Sequence, residues 1–495
     1  MKSVRSSPPG SSLPSLPMRM ALAAFAMAAG VAACAVGPKY EGPPLVAHAD
    51  HLVRGGEEVT APVNPPVHPA GNWWESLGDP ELERLIKLAL ADSPDIDAAE
   101  ARLRKARSVA RQQRAAQLPK ISADALALRS NASLSSSDSS SGSGNGSSSG
   151  DLEFYNLGFD ASWEIDFFGG SRSSRRAAGA QVEASRAELE DLHVSLAAEV
   201  GRVYVGLRGQ QQRLGLLQHS ADMEREILGL TEQRRSRGVA SDFDVERTRA
   251  QYENTRALLI PLQQGIQEAL DGLAVLTGRA PGTLDEELTQ AQPLPQLPAS
   301  VDVDDPADIL RRRPDIRAAE RRLAARTSIV GRRTADLFPK VSLLGSVGFG
   351  GNSTSQLFSD DSLIWLVAPV LRWTFLDFGG NKARLNEAEA DRDEAIASYK
   401  STVLGALQDA ETSLSRFGNR RQSVVTLQRV KSSADRAAEL AQQRRNAGAL
   451  SQIDFLDTER TRVSAEQDLA QSQTELVQSF IALQKSLGLG WERGT

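Results

Sequence analysis

The chain is 495 residues long and acidic, with 57 basic against 63 acidic residues and a formal net charge of −6. Without residues 1–33, which hold Lys2, Arg5 and Arg19 and no acid, 54 basic residues face 63 acidic ones and the charge is −9; a nucleic-acid partner, which needs a basic face, is not expected. The single cysteine, Cys34, excludes an intramolecular disulfide, and the five histidines fall in no metal-ligand spacing, so neither a metal nor another cofactor is expected.

Residues 1–33 read as a signal peptide: a basic start, then a short alanine-rich apolar run from Met20 that ends on small residues. Val31-Ala32-Ala33-Cys34 resembles a bacterial lipobox, in which Cys34 receives lipid and becomes the mature N-terminus. An ordinary signal peptide with an incidental cysteine is the alternative. Residues 34–72 then form a lipid-anchored linker. No later stretch is long and apolar enough for a transmembrane helix, so any spanning structure must be made of strands.

The next region, 73–290, is a first repeat and 291–495 a second. Pro94-Asp95-Ile96 recurs as Pro314-Asp315-Ile316, and Pro119-Lys120 as Pro339-Lys340, both at an offset of 220. Beyond a Ser/Gly-rich insert (130–150) the offset is 210: Trp163 matches Trp373, Phe168-Gly169-Gly170 matches Phe378-Gly379-Gly380, and Gly238-x-x-Ser241-x-x-Asp244 matches Gly448-x-x-Ser451-x-x-Asp454.

Each repeat predicts the same order of elements. A short helix (about 80–92, then 306–312) leads to a longer one (95–117, 315–336). Strands follow at about 120–130 and 153–168, then 340–350 and 364–377. A very long helix (about 171–236, 381–446), a glycine turn and a last helix (243–277, 453–487) complete the unit. Apolar residues of the long helices are near-heptad, including Leu196, Val200, Val203 and Leu207, then Val403, Ala406, Ala410 and Leu414. Some sixty-five helical residues span roughly 100 Å, more than a single-domain core needs. A free coiled-coil lipoprotein would explain the heptads but not the strands.

In the stretch before Phe168, Tyr155, Leu157, Phe159, Ala161, Trp163 and Ile165 alternate with Asn156, Gly158, Asp160, Ser162, Glu164 and Asp166. Such patterning suits a wall between lipid and water, although a soluble sandwich alternates too. Four strands cannot close a barrel, and open edges in lipid leave backbone groups unpaired, so an oligomer is required. The fold class is thus mainly α with a transmembrane β-barrel, built from two internal repeats.

Cys34-Ala-Val-Gly-Pro-Lys-Tyr40, Trp73-Trp74-x-x-Leu77-Gly78-Asp79-Pro80, Leu310-Arg-Arg-Arg-Pro-Asp-Ile316 and Trp163-Glu-Ile-Asp-x-Phe168-Gly169 resemble the outer membrane factors of tripartite efflux pumps, the TolC-like family, in its lipid-anchored branch. The resemblance implies a homotrimer with a twelve-stranded barrel in outer-membrane lipid. It also implies long antiparallel helices forming a periplasmic α-barrel, a periplasmic membrane fusion (adaptor) protein and an inner-membrane RND-type transporter as partners. Acidic residues ring the periplasmic mouth in that family, and the matching positions are Asp454 and Asp457; helix N-capping is the plainer role for acids there. A family tyrosine is replaced by Arg235 and Arg445, so Arg–carboxylate contacts with Asp242 or Asp244 become candidate gate ties.

The expected function is therefore a passive outer-membrane conduit for small molecules such as drugs. A duct of a type I protein-secretion system is the alternative. An enzyme is not expected, since no nucleophile elbow, metal-protease helix or phosphate loop occurs. Met223 is the only methionine beyond the signal segment, which speaks against a methionine relay for copper or silver.

Overall fold

A computed structural model describes residues 36–46, 72–130, 152–298, 312–355, 359 and 362–491. Cys34, the signal segment, most of the Ser/Gly-rich insert and residues 306–311 of the expected short helix lie outside the described residues. The chain divides into two compact units.

The first unit comprises residues 1–42, 106–182 and 322–395 and carries the sheet. Strands β1 (Lys120–Ser130), β2 (Leu152–Ile165), β3 (Lys340–Gly351) and β4 (Leu363–Arg372) are antiparallel neighbours in the order β1-β2-β3-β4. The two hairpins share one register: Lys120 faces Ser162 in the first and Lys340 faces Arg372 in the second. Both strand ends fall short of the Gly-Gly pairs to which the alternation extends. After Ile165 the Asp166 carboxylate turns to accept Ser171 and Arg172 backbone N–H groups at 3.1 and 2.8 Å. It thereby caps the next helix instead of continuing the ladder. At the other end Asp377 accepts the Gly379 N–H at 3.2 Å, and Arg372 is the last β4 residue with a cross-strand partner.

Trp163 and Trp373 use their indole N–H groups identically, donating to the Gln117 and Leu337 carbonyls at 3.0 and 3.2 Å. A strap formed by Val36–Pro38 crosses this unit, its Val36 N–H donating to the Phe168 carbonyl at 3.2 Å. A Cβ on Gly37 would lie 2.6 Å from the Gly331 Cα, so the crossing tolerates only glycine.

The second unit comprises residues 43–105, 183–321 and 396–495 and is helical; four of the helices named next (94–115, 170–236, 314–335 and 380–446) belong in part to the first unit. Helix α1 (Pro80–Asp92) starts at Asp79, whose carboxylate accepts the Glu81 and Leu82 N–H groups, with proline at N1. Helix α2 (Pro94–Ala115) follows; α3 (Gly170–Ser236) and α4 (Asp242–Leu276) form the first long pair. A one-turn α5 (Asp285–Leu288) and α6 (Pro314–Ala335) lead to the second pair, α7 (Gly380–Asn446) and α8 (Gln452–Ser486).

Within this unit α3 lies between α4 and α8. Gln251 of α4 donates to Glu224 of α3 at 3.2 Å, and Arg213 of α3 donates to Gln471 of α8 at 2.8 Å. Lys431 of α7 pairs with Glu466 of α8 at 3.4 Å, placing α7 beyond α8. The core gathers the heptad positions Val200 and Leu207, Leu270 of α4, Leu414 of α7 and Phe480 of α8 around Trp73 and Trp74. Trp73 meets Trp74 and Phe480 edge to face at 5.6 and 6.5 Å. At the far end of α3, Ile227 is buried.

Candidate functional site

The candidate site is built by the turns that end α3 and α7. Each helix closes on a glycine in the left-handed region, Gly238 (φ 76°) and Gly448 (φ 69°). The bonds that close them are the same: Gly238 N–H to Arg235 O and Val239 N–H to Arg234 O, both 2.9 Å, then Gly448 N–H to Arg445 O and Ala449 N–H to Arg444 O at 2.9 and 2.8 Å. This is a Schellman arrangement, and it aims an arginine from each helix end at the start of the next helix.

The next helices begin on serine. Ser241 and Asp244 form a capping box in which Asp244 N–H donates to Ser241 Oγ at 3.2 Å and Ser241 N–H donates to the carboxylate at 3.0 Å. The Ser241 backbone N–H, then its hydroxyl, hold the Asp244 carboxyl below its usual range, and Arg247 and Arg234 act in the same direction. Ser451 and Asp454 repeat the cap, with Asp454 N–H donating to Ser451 Oγ at 3.1 Å and Ser451 Oγ donating to the carboxylate at 2.6 Å. Asp457, one turn along, pairs with Arg460 of its own helix at 2.7 Å and keeps an exposed side chain.

Arg235 forms an ion pair with Asp242, inside its own turn. Among the described residues the equivalent arginine reaches no carboxylate: Arg445 donates to Gln452 Oε1 at 3.0 Å and lies over the Phe455 ring at 4.2 Å. Gln452 stands at the repeat position of Asp242, since 242 and 210 sum to 452. The same contact is thus ionic in the first turn and neutral in the second, and the displaced charge rests on an aromatic face. Gln452 in turn donates to Glu226 of α3 at 2.9 Å.

Leu456 is buried with Phe455, Met223, Ile227 and Val463, and Ile453 packs against that cluster. Both therefore serve as packing residues within the subunit. Glu226 and Phe455 escape the sequence reading, because neither stands out without knowledge of which helix faces the turn. Among the described residues no group of acids, histidines or cysteines is arranged to hold a metal ion.

The sequence profile of outer membrane efflux proteins matches residues 85–279 and 306–489. The chain is 28% identical to the outer membrane protein OprJ of Pseudomonas aeruginosa, with 96% of each chain covered. It is 31% identical to the pyoverdine export outer membrane protein OpmQ of Pseudomonas putida, over 86% of this chain and 89% of that one. Among solved structures, the outer-membrane channel OprN matches at TM-score 0.79 and 35% identity over 92% of this chain and all of that one (100%). The open state of the Neisseria gonorrhoeae MtrE outer membrane channel matches at TM-score 0.79 and 28% identity over 93% and 99%. These likenesses run through both repeats, the sheet and the long helices, and on them the chain belongs to the outer membrane efflux protein family, as an outer-membrane efflux channel.

Proposed function

We propose that three copies of the chain form the passive outer-membrane conduit of a tripartite pump that expels small molecules. The substrates are toxic compounds such as drugs. They arrive from an inner-membrane RND-type transporter through a periplasmic adaptor, and no chemical step occurs in the duct. Lipid on Cys34 anchors each copy, and the Val36–Pro38 strap holds the residues just after the anchor against the end of β2. One observation carries this reading: a four-stranded antiparallel sheet with two open edges. One face of β2 is apolar and the other bears carboxylates. In lipid such a sheet must be completed by further copies.

The turns at Gly238 and Gly448 are the proposed mouth. Three copies bring six carboxylates, from Asp454 and Asp457, around one axis, where they attract cations. The cap is compatible with this role, because the bond to Ser451 fixes the Asp454 side chain at the start of α8. The tie between Arg235 and Asp242 braces the first turn, and Arg445 braces the second through Gln452 and Phe455.

Two measurements test the reading. Deletion of the gene should sensitise cells to small toxic compounds while leaving protein secretion intact; loss of a secreted protein with unchanged drug tolerance would transfer the duct to type I secretion. In planar bilayers, Asp454→Asn with Asp457→Asn should lower cation preference severalfold at low salt, where screening is weakest. Unchanged ion selectivity would remove the carboxylate ring.

A further inference from the structure

The internal duplication specifies how one copy meets the next. Inside the chain, the second strand of the first repeat, β2, pairs with the first strand of the second repeat, β3. This junction is sealed below the ladder by Phe168 stacked on Phe338, with ring centroids 4.8 Å apart and planes at 20°. The equivalent partners in the other order are β4 and β1. They are the two edges of the same sheet, so within one chain they cannot meet.

Offsets of 210 for the second strands and 220 for the first carry the internal junction onto the open edges. Both hairpins obey these offsets, since 120 + 220 and 162 + 210 give the observed pair Lys340 and Arg372. The pair Ser162 and Leu344 then becomes Arg372 opposite Asp124, and Trp163 with Leu343 becomes Trp373 opposite Ala123. Phe168 on Phe338 becomes Phe378 on Leu118.

Three features of the chain answer to this transfer. Arg372 makes no ion pair among the described residues, and its transferred partner is an acid on the polar face of the sheet. Phe378 is 95% exposed with φ at 52°, a costly backbone state for a bulky residue, and Leu118 is 62% exposed. Trp373–Phe375 are not strand in the single chain, whereas Trp163–Ile165 are strand through their pairing with Leu343–Val341. The missing partner of Trp373–Phe375 is the start of a β1. Pro369 denies one backbone donor to this edge, which discourages pairing with unrelated strands.

We propose that β4 of one copy pairs with β1 of a second copy in this register, with an Arg372–Asp124 ion pair between copies and Phe378 seated on Leu118 of the neighbour. The proposal rests on the trimer reading and goes beyond it in naming the contact. Arg372→Asp alone and Asp124→Arg alone should each lower the fraction of trimer in detergent by about tenfold, and the two reversals together should restore it. Oxidation of a chain carrying Leu118→Cys with Phe378→Cys should yield a covalent three-chain species that neither single substitution gives. Wild-type trimers without rescue by the double reversal and without the cross-link would overturn the register and leave the trimer standing. A wild type that forms no trimer would overturn both.

Discussion

Asp79 shows how one side chain can tie two levels of structure. Its carboxylate caps α1 and also accepts the Tyr204 hydroxyl at 2.9 Å. Arg208, one turn beyond Tyr204, is 1% exposed and spends a single guanidinium nitrogen on Gln211, the Leu288 carbonyl and the Gln290 carbonyl. Together they pin the start of α1 and the segment after α5 to α3. Burial pushes the Tyr204 hydroxyl up to about 12, with Asp79 adding to the effect and Arg208 opposing it. A pKa raised on folding stabilises fully below the unfolded value, near 10, and the contribution fades as pH rises through the folded value. Denaturation midpoints followed by circular dichroism should therefore show the wild type losing about 2 kcal/mol between pH 10 and 12 relative to Tyr204→Phe. Parallel curves for the two proteins across that window would refute the buried, protonated tyrosine.

At the scale of elements, the contact between α3 and α8 depends on small residues. A Cβ on Gly209 would stand 2.3 Å from Thr474 Oγ1, which itself donates to the Ala470 carbonyl at 2.8 Å. Gly209→Ala should cost about 1–3 kcal/mol through overpacking. Adding Thr474→Ala should recover part of it, as a thermal-melt double-mutant cycle would report; additive losses would mean the helices are not in this register. The long helices, their heptad cores and the four strands could be read from the sequence because the duplication displays each signal twice. The departures from it could not. Arg208 and Gly209 fall on Gly418 and Asn419 in the second repeat, and the carbonyl partners of Arg208, Leu288 and Gln290, lie some 80 residues away, beyond any local pattern. The site divides the same way. Asp244 and Asp454 could be read as helix caps from Ser-x-x-Asp alone. The exchange of Asp242 for Gln452 is visible at the offset of 210, but the turn of Arg445 onto Gln452 and the Phe455 ring is not, because Arg445 stands among several arginines.

For the molecule as a whole, the open-edged sheet has a genetic consequence. A proposed three-copy ring closes only if every seam closes, so one defective copy spoils two good ones. Cells that make wild type and Arg372→Asp chains in equal amounts, with free mixing, should retain only about one fully wild-type ring in eight. Drug tolerance should then fall well below the half expected of independent subunits; with Asp124→Arg added to the same defective chain, unmixed rings of either kind close, and about one ring in four is sound. The weakness of a strip that cannot close on itself thus becomes inheritance: a recessive-looking transport gene whose seam alleles behave as dominant.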